Sequence, residues 1–221
     1  MFEVEHEDAF VTSEVYLYFG SLGRHERQYQ VPNFVGLALN PSHDREIAHD
    51  LRNPLSQADG SVAKVQAQDV FEHLPIEIIP RILDDIYRVL KPGGVFRLSV
   101  PDYRSPLLKR RSVYDSEGQI LADLMMSTSV AYDAGSTSAK ASFAADGTAH
   151  VWFPTYEKVL DLIVKSNIRK CDRIEFYQYF QNDRTYVVKE IPENEMIVQR
   201  SVPYDMRAGG APISIVVDFI K

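Results

Sequence analysis

The residues best suited to chemistry follow an apolar segment in the middle of the chain. Residues 62–68 are followed closely by Asp69, Glu72 and His73, and a second histidine, His150, precedes an apolar and aromatic stretch. A histidine of ordinary pKa can take a proton from an oxygen or nitrogen nucleophile near neutral pH. His73 and His150 are therefore the candidate catalytic bases. The alternative for each is a structural histidine, and Glu72 and His73 also suit the first turn of a helix.

Two glycines at another strand end have the spacing of a ligand-binding loop. The sequence YLYFGSLG, residues 16–23, runs from an apolar strand-like segment into Gly20 and Gly23. Glycine has no Cβ, so the backbone of such a loop can come close to a bound cofactor. Leu22 interrupts the pattern, and the same sequence also suits an ordinary turn. Both interpretations are open at this point.

These residues can form one site only if the fold brings the ends of their strands together, and the sequence has the pattern of such a fold. After the strand-like segment at 62–68, apolar residues recur at helical spacing between 75 and 90. The pattern stops at KPGG, residues 91–94, which predicts a turn because proline and glycine end helices. A strand is predicted next, at 95–100. Alternating strands and helices indicate an α/β protein with parallel strands, whose ligands bind at the carboxyl ends of the strands.

Several segments resemble one enzyme family. The segment AQDVFEHLP, the amphipathic helix after it and RVLKPGGVFRLSVPDY resemble the second half of a class I S-adenosylmethionine-dependent methyltransferase. NPSHDREIAHDLRNPLSQADGSVAKV, HVWFPTYEKVLDLIVKSN and APISIVVDFIK resemble other parts of these enzymes. The resemblance covers about residues 14 to 221. It is nearest to small methyltransferases associated with polysaccharide and lipopolysaccharide biosynthesis.

The resemblance implies a Rossmann-like class I methyltransferase fold. We expect a mostly parallel seven-stranded sheet with helices on both faces, residues 95–100 as a central strand and residues 213–220 as an antiparallel strand near the edge. One domain would span residues 1–221. A mobile insertion or lid is expected around 104–149, because residues 127–147 are rich in Ser, Ala, Thr and Gly.

The resemblance also implies a binding site for S-adenosylmethionine. In the family the glycine loop approaches the methionine part of the cofactor, and an acid at the end of the second strand binds the ribose hydroxyls. This chain has Ala38 at the latter position, where a hydrogen-bond acceptor is lost and Asn40 could replace part of it. Asp50 matches the acid that contacts the adenine amino group, although a turn cap is an equally good use for it. The candidate cofactor-binding residues are Gly20, Gly23, Ala38, Asn40, Asp50 and Asp69.

Composition narrows the function classes. The 221 residues are 45% hydrophobic and carry a formal net charge of −7. One domain with a sizeable core fits this length. Binding to nucleic acid is not expected, because it needs clustered Lys and Arg, and the short basic run at 109–111 is interpreted as a solvated loop. No window approaches the ~18 apolar residues of a membrane span, and the acidic first ten residues do not resemble a signal peptide. A cytoplasmic protein is therefore expected.

No metal ion is predicted from the sequence. The His, Asp and Glu residues show no recognisable ligand spacing, and His43 and His49 fall in a segment where such residues are usually solvated.

Two functions of different classes remain. The first is a methyltransferase that acts on an oxygen or nitrogen of a small molecule or saccharide. The second is a methyltransferase-like binding or scaffold protein without turnover, which Leu22 and Ala38 favour. The retained acids Asp50, Asp69 and Asp102 favour the first. A homodimer is an assembly that the sequence leaves open.

Overall fold

The fold is known from a computed structural model that describes residues 14–132, 139–182 and 184–221. Its centre is an eight-stranded sheet with the strand order β11-β10-β12-β5-β4-β1-β2-β3. These strands are β1 (Val15–Phe19), β2 (Phe34–Ala38), β3 (Glu46–Ala48), β4 (Val62–Gln68), β5 (Leu90–Pro101), β10 (Arg173–Phe180), β11 (Tyr186–Val188) and β12 (Ser214–Ile220). The acidic start of the chain, 1–13, lies outside the described residues.

The pairing of the strands confirms the predicted fold class. Strands β1 to β5 form parallel pairs, whereas β12 is antiparallel to both β5 and β10. β5 contains the predicted central strand 95–100. The short strand β11 adds an antiparallel edge beyond the seven strands expected, so that β12 is the third strand from that edge.

Alternation along β1 shows why this strand lies inside the sheet. Leu17 and Phe19 belong to the core on one face, while Tyr16 and Tyr18 belong to a second apolar cluster on the other face. A strand that is apolar at successive positions buries both of its faces, as central parallel strands do.

Different structures cover the two faces. On the first face lie α1 (Ile79–Val89), α3 (Tyr156–Val164) and a 3₁₀-helix, Asn167–Lys170. On the second face, Tyr16 and its neighbours pack against a 3₁₀-helix, Arg27–Gln30, and against Met196.

A buried ion pair helps to attach the segment around Met196 to the second face of the sheet. Arg97 on β5 is fully buried and makes two hydrogen bonds to Asp218 on β12, Nε to Oδ1 at 2.7 Å and a terminal nitrogen to Oδ2 at 2.6 Å. Its other terminal nitrogen donates to the carbonyl oxygen of Met196. The side chain of Gln66 on β4 likewise donates to the carbonyl of Ile197, at 2.9 Å. The segment around Met196 is therefore attached directly to β4 and β5, and through Arg97 to β12.

The KPGG segment, 91–94, differs in detail from the predicted turn. Helix α1 ends at Val89 and the chain continues directly as β5, with residues 91–94 forming an irregularity between the pairs Val62–Leu90 and Lys64–Val95. Helical structure also begins as a 3₁₀-turn, Ile76–Ile78, before α1. Gly93 has a positive φ of 74°, and a Cβ on Gly94 would lie 2.8 Å from the carbonyl oxygen of Lys91. The tight backbone packing around Gly94 therefore requires a glycine at this position.

The region predicted as an insertion contains short regular elements. They are α2 (Pro106–Lys109), the antiparallel pair β6 (Ser112–Tyr114) and β7 (Ile120–Asp123), and the antiparallel pair β8 (Thr128–Tyr132) and β9 (Ala139–Phe143). Residues 133–138 of the Ser/Ala-rich stretch lie outside the described residues. That this region acts as a lid over the site stays a prediction. Among the helices in the described ranges, none is long and apolar enough to cross a bilayer.

The packing at Gly94 yields a stability prediction. Gly94→Ala should lower the free energy of unfolding by about 1–3 kcal/mol, because its Cβ would meet backbone oxygens that cannot move independently. The matched control is Gly93→Asn, where the space is open and asparagine tolerates a positive φ, so most of the stability should be retained. Urea denaturation of the three proteins measures both effects. Equal stability of the two variants would contradict this account of the motif.

Candidate functional site

A cavity of about 530 Å³ lies where β1, β2 and β4 end. β1 and β4 are neighbours that continue into opposite halves of the sheet, which is the usual ligand position in such folds. Six of the eight sequence candidates line it: Gly20, Ala38, Asn40, Asp50, Asp69 and His73. Gly23 and His150 are not among its lining residues. The insertion contributes Ala145, Asp146 and Gly147 to its wall.

The glycine loop after β1 is held by a buried carboxylate that the sequence did not single out. Glu46, the first residue of β3, accepts hydrogen bonds from the Ser21 hydroxyl and the Leu22 amide, each at 2.7 Å. It also accepts bonds from the amide and hydroxyl of Ser42. Burial alone would raise the pKa of Glu46, but these hydrogen bonds outweigh it and lower the pKa to about 2. The loop amide of Leu22 is therefore used inside the protein.

Leu22 does not fill the cavity. Its side chain is fully buried in the cluster with Tyr18 and Phe34, so the interruption of the glycine pattern serves the core of the second face. The Leu22 carbonyl oxygen is 2.9 Å from Nε2 of His43. The prediction that His43 is solvated is wrong, since its side chain is only 4% exposed. Gly20, with φ at 95°, remains at the cavity wall without a side chain.

Ala38 ends β2 with an apolar side chain, at the position that the resemblance predicts to contact the ribose. It is 3% exposed and lines the cavity. Nearby, Nε2 of His49 is buried and has no hydrogen-bond partner among the described residues. His49 also lines the cavity, so the prediction that it is solvated does not hold for this atom.

Asp50 lies at the cavity wall with its carboxylate engaged locally. It accepts hydrogen bonds from the amide and the side chain of Arg52, and this side-chain bond is the main reason that the pKa of Asp50 is lowered. Asp50 thus caps a turn and lines the cavity, and its contact with an adenine group stays a prediction.

Asp69 follows β4 with an unusual backbone. Its φ is +53°, a left-handed conformation that is uncommon for residues other than glycine and is often found at functional sites. Its Oδ2 is 3.3 Å from Nε of Arg200, while its Oδ1 is buried without a hydrogen-bond partner among the described residues. Burial raises the pKa of Asp69, and the charge of Arg200 opposes the rise.

Glu72, His73 and His150 form one cluster beside the cavity. Nε2 of His150 and Nε2 of His73 lie 3.7 Å and 3.9 Å from Oε1 of Glu72. The side chains of Glu72 and His150 are 0% and 1% exposed, whereas that of His73 is 22% exposed and lines the cavity. Burial raises the pKa of Glu72 well above its usual value and lowers the pKa of both histidines, that of His150 to about 3.

A chain of polar groups supports His150 from behind. Its Nδ1 is 2.5 Å from the hydroxyl of Tyr103, which donates to Oδ2 of Asp123 at 2.5 Å. Arg111 places its Nε 2.8 Å from the same carboxylate oxygen. The prediction that the basic run 109–111 is solvated is therefore wrong for Arg111, whose side chain is 23% exposed and paired.

Sequence reasoning missed most of the residues that organise this site. Glu46, Asp123 and Arg200 come from separate elements, and no local spacing connects them, whereas Tyr103 follows the predicted strand 95–100 and belongs to the strand ends that the sequence indicates. Asp102, at the end of β5, turns away from the cavity: its carboxylate accepts the amide of Phe180 on β10 at 2.7 Å. Burial raises the pKa of Asp102 to about 6.

Comparisons with known proteins support the fold. Residues 31–98 match the methyltransferase domain family. No curated protein sequence matches the chain. Among solved structures, an S-adenosylmethionine-dependent methyltransferase from Mesorhizobium loti is 14% identical with a TM-score of 0.51, covering 95% of this chain and 91% of that one.

Two further structures have the same architecture. A SAM-dependent methyltransferase from Archaeoglobus fulgidus is 13% identical with a TM-score of 0.55, covering 94% of this chain and 86% of that one. A Thermotoga maritima protein described as a possible histamine N-methyltransferase is 14% identical with a TM-score of 0.51, covering 96% and 84%. The chain has the fold of the class I S-adenosylmethionine-dependent methyltransferases.

The role of Glu46 can be tested by stability. Glu46→Gln should lower the free energy of unfolding by about 1.5–3 kcal/mol at neutral pH, because hydrogen bonds to a charged acceptor are replaced by weaker ones. In the wild type this stabilisation is fully present above the ordinary glutamate pKa of 4.5 and is lost as the pH falls toward 2. The difference between the two proteins should therefore shrink below about pH 4.5.

The measurement is urea denaturation at several pH values. Glu117→Gln, at an exposed turn, is the matched control and should change stability by less than about 0.5 kcal/mol. A stability difference that is small or independent of pH would show that Glu46 does not hold the loop.

Proposed function

We propose that this protein is an S-adenosylmethionine-dependent methyltransferase that methylates an oxygen or nitrogen of a small molecule or saccharide. The observation that carries the proposal is the cavity at the ends of β1, β2 and β4, in a methyltransferase fold, lined by the six candidate residues. Its volume of about 530 Å³ lies within the range of small-molecule sites. The resemblance to methyltransferases of polysaccharide biosynthesis supports a saccharide acceptor in the cytoplasm.

The residues present fit most of the cofactor. Gly20 offers backbone without a side chain, and Asp69 presents a buried carboxylate oxygen that has no protein partner among the described residues. An ammonium group, such as that of the methionine part, would satisfy such an oxygen. Asn40, which follows β2, and Asp50, which follows β3, supply further polar groups at the cavity wall. The misfit is Ala38, which offers the ribose hydroxyls no acceptor.

The chemistry requires positioning and one proton transfer. The cofactor supplies a methyl group on a sulfonium, and displacement of this kind needs the two reactants held in line. His73 is the base that the geometry favours, because it lines the cavity and His150 does not. Nδ1 of His73 lies 3.0 Å from the carbonyl oxygen of Ala149, so it carries the proton and leaves Nε2 as an acceptor. His150 acts as a positioning residue behind it, at 4.8 Å between ring centres.

A binding or scaffold protein without turnover is the second candidate. Two observations favour it: the loop amide of Leu22 is occupied by Glu46, and Ala38 replaces the ribose acceptor. Both reduce the number of groups that the loop and β2 offer to a cofactor. Direct measurement of cofactor binding separates the two functions.

The test uses Ala38→Asp and S-adenosylhomocysteine. A carboxylate at the end of β2 should restore a charged acceptor and tighten binding by roughly 1.5–3 kcal/mol, about ten- to a hundredfold. Ala38→Asn is the matched control, since it adds a side chain of similar size without charge and should gain less. Calorimetric titration of the wild type and both variants gives the dissociation constants.

The three binding measurements distinguish the methyltransferase from the scaffold protein. Measurable binding by the wild type and tighter binding by Ala38→Asp would support the methyltransferase. Absence of binding in all three proteins, each shown to be folded by circular dichroism, would contradict it and favour the scaffold function.

A further inference from the structure

We propose that Glu72, His73 and His150 bind a divalent transition-metal ion, with zinc as the best match. One ligand atom from each of the three residues lies within 4.8 Å of the other two. This inference goes beyond the proposed methyl transfer, and metal binding can be measured without cofactor or substrate.

The distances within the cluster suit a metal ion better than hydrogen bonds. The separations of 3.7 Å and 3.9 Å between Glu72 Oε1 and the two Nε2 atoms exceed hydrogen-bond length. They are close to the separation of two ligands that each lie about 2.0–2.2 Å from a shared zinc ion. The three ligand atoms together lie within 4.8 Å of one another, so coordination requires the side chains to move inward.

The Glu72 carboxylate has no other use in the described structure. Both of its oxygens are buried, and neither has a hydrogen-bond partner among the described residues. Burying a carboxylate without partners is costly, and proteins normally pair such groups with a charge or a metal ion. The two arginines whose charges act on Glu72 have other partners, Arg200 with Asp69 and Arg111 with Asp123. A cation held between Glu72 and the histidines would supply the missing partner.

Hydrogen bonds at the far side of each imidazole turn its Nε2 into a metal ligand. Nδ1 of His73 donates to the carbonyl oxygen of Ala149. For His150, the Tyr103 hydroxyl donates to the side chain of Asp123, which Arg111 also contacts, and accepts from Nδ1 of His150. Metal-bound histidines usually make this kind of outer hydrogen bond, to a carbonyl or toward a carboxylate.

The ligand types select the ion. Imidazole nitrogens favour zinc and other transition metals over magnesium and calcium, which prefer oxygen ligands. Two histidines and one glutamate leave a fourth position open, as in catalytic zinc sites. His73 is the ligand that lines the cavity, so an oxygen-bearing ligand can reach the ion from that side.

The experiment measures zinc binding by the full chain. Protein freed of metal by a chelator is titrated with zinc in competition with a chromophoric chelator, and cobalt(II) replaces zinc in a parallel sample to give a visible absorption spectrum. We expect one zinc ion per chain and a cobalt spectrum typical of four or five ligands. Glu72→Gln keeps the shape of the side chain but removes the charged ligand, and it should weaken zinc binding at least about tenfold.

Two further variants separate ligation from structure. Tyr103→Phe removes the hydroxyl that fixes His150 and should weaken zinc binding by about ten- to a hundredfold while leaving the three ligands in place. His25→Ala, at an exposed position in the β1–β2 connection, is the matched control and should bind zinc like the wild type. Circular dichroism verifies that each variant is folded.

The proposal is overturned if the wild type takes up less than one zinc ion per chain, or if Glu72→Gln and His25→Ala bind zinc equally well. Loss of cofactor binding with intact zinc binding would instead count against the proposed methyltransferase alone. Zinc bound at Nε2 of His73 would use the electron pair that a base needs, so one zinc ion per chain would also replace the base role proposed above for His73.

Discussion

The buried pair between Arg97 and Asp218 is the interaction on which the second face of the sheet depends. Both side chains are almost fully buried, and a buried ion pair stabilises a protein only when its hydrogen bonds are well formed. Here the third hydrogen bond of Arg97 goes to the carbonyl of Met196. The pair therefore fixes two adjacent strands and the segment that covers them. That segment continues to Arg200, the partner of Asp69. The ion pair between Arg97 and Asp218 therefore positions the segment whose Arg200 balances the charge of Asp69 at the cavity.

Local sequence patterns predicted the scaffold well because local physics determines it. The boundaries of β4 and the amphipathic helix α1 follow from apolar spacing and from the residues at their ends. The KPGG segment was located correctly, but its form depends on the last strand: the amide of Gly93 and the carbonyl of Gly94 pair with the backbone of Lys221. The local sequence pattern does not predict this pairing with Lys221. The antiparallel position of the C-terminal strand, in contrast, came from the resemblance, since pairing between distant strands is not encoded in spacing.

The candidate site was predictable only as a set of strand ends. Gly20 and Asp69 could be named because a parallel sheet gathers such positions at one edge. Glu46 and Arg200 could not, since their importance arises from contacts with residues that are distant in the chain. Leu22 shows the difference most clearly. In sequence it looked like an obstacle in a glycine loop; in the structure its side chain belongs to the core and its amide belongs to Glu46. The same loop geometry has acquired an internal support where a ligand contact was expected.

The position of β12 has a consequence for the order of folding. In the chain it follows β10 and β11, yet in the sheet it lies between β5 and β10. Until β12 inserts, β10 and β11 form an isolated hairpin, and β5 presents an unpaired edge whose neighbouring residues are apolar. Unpaired edges of this kind pair readily with other chains. During synthesis, the parallel half of the sheet can assemble early, while closure of the other half waits for the segment that emerges last from the ribosome among these strands.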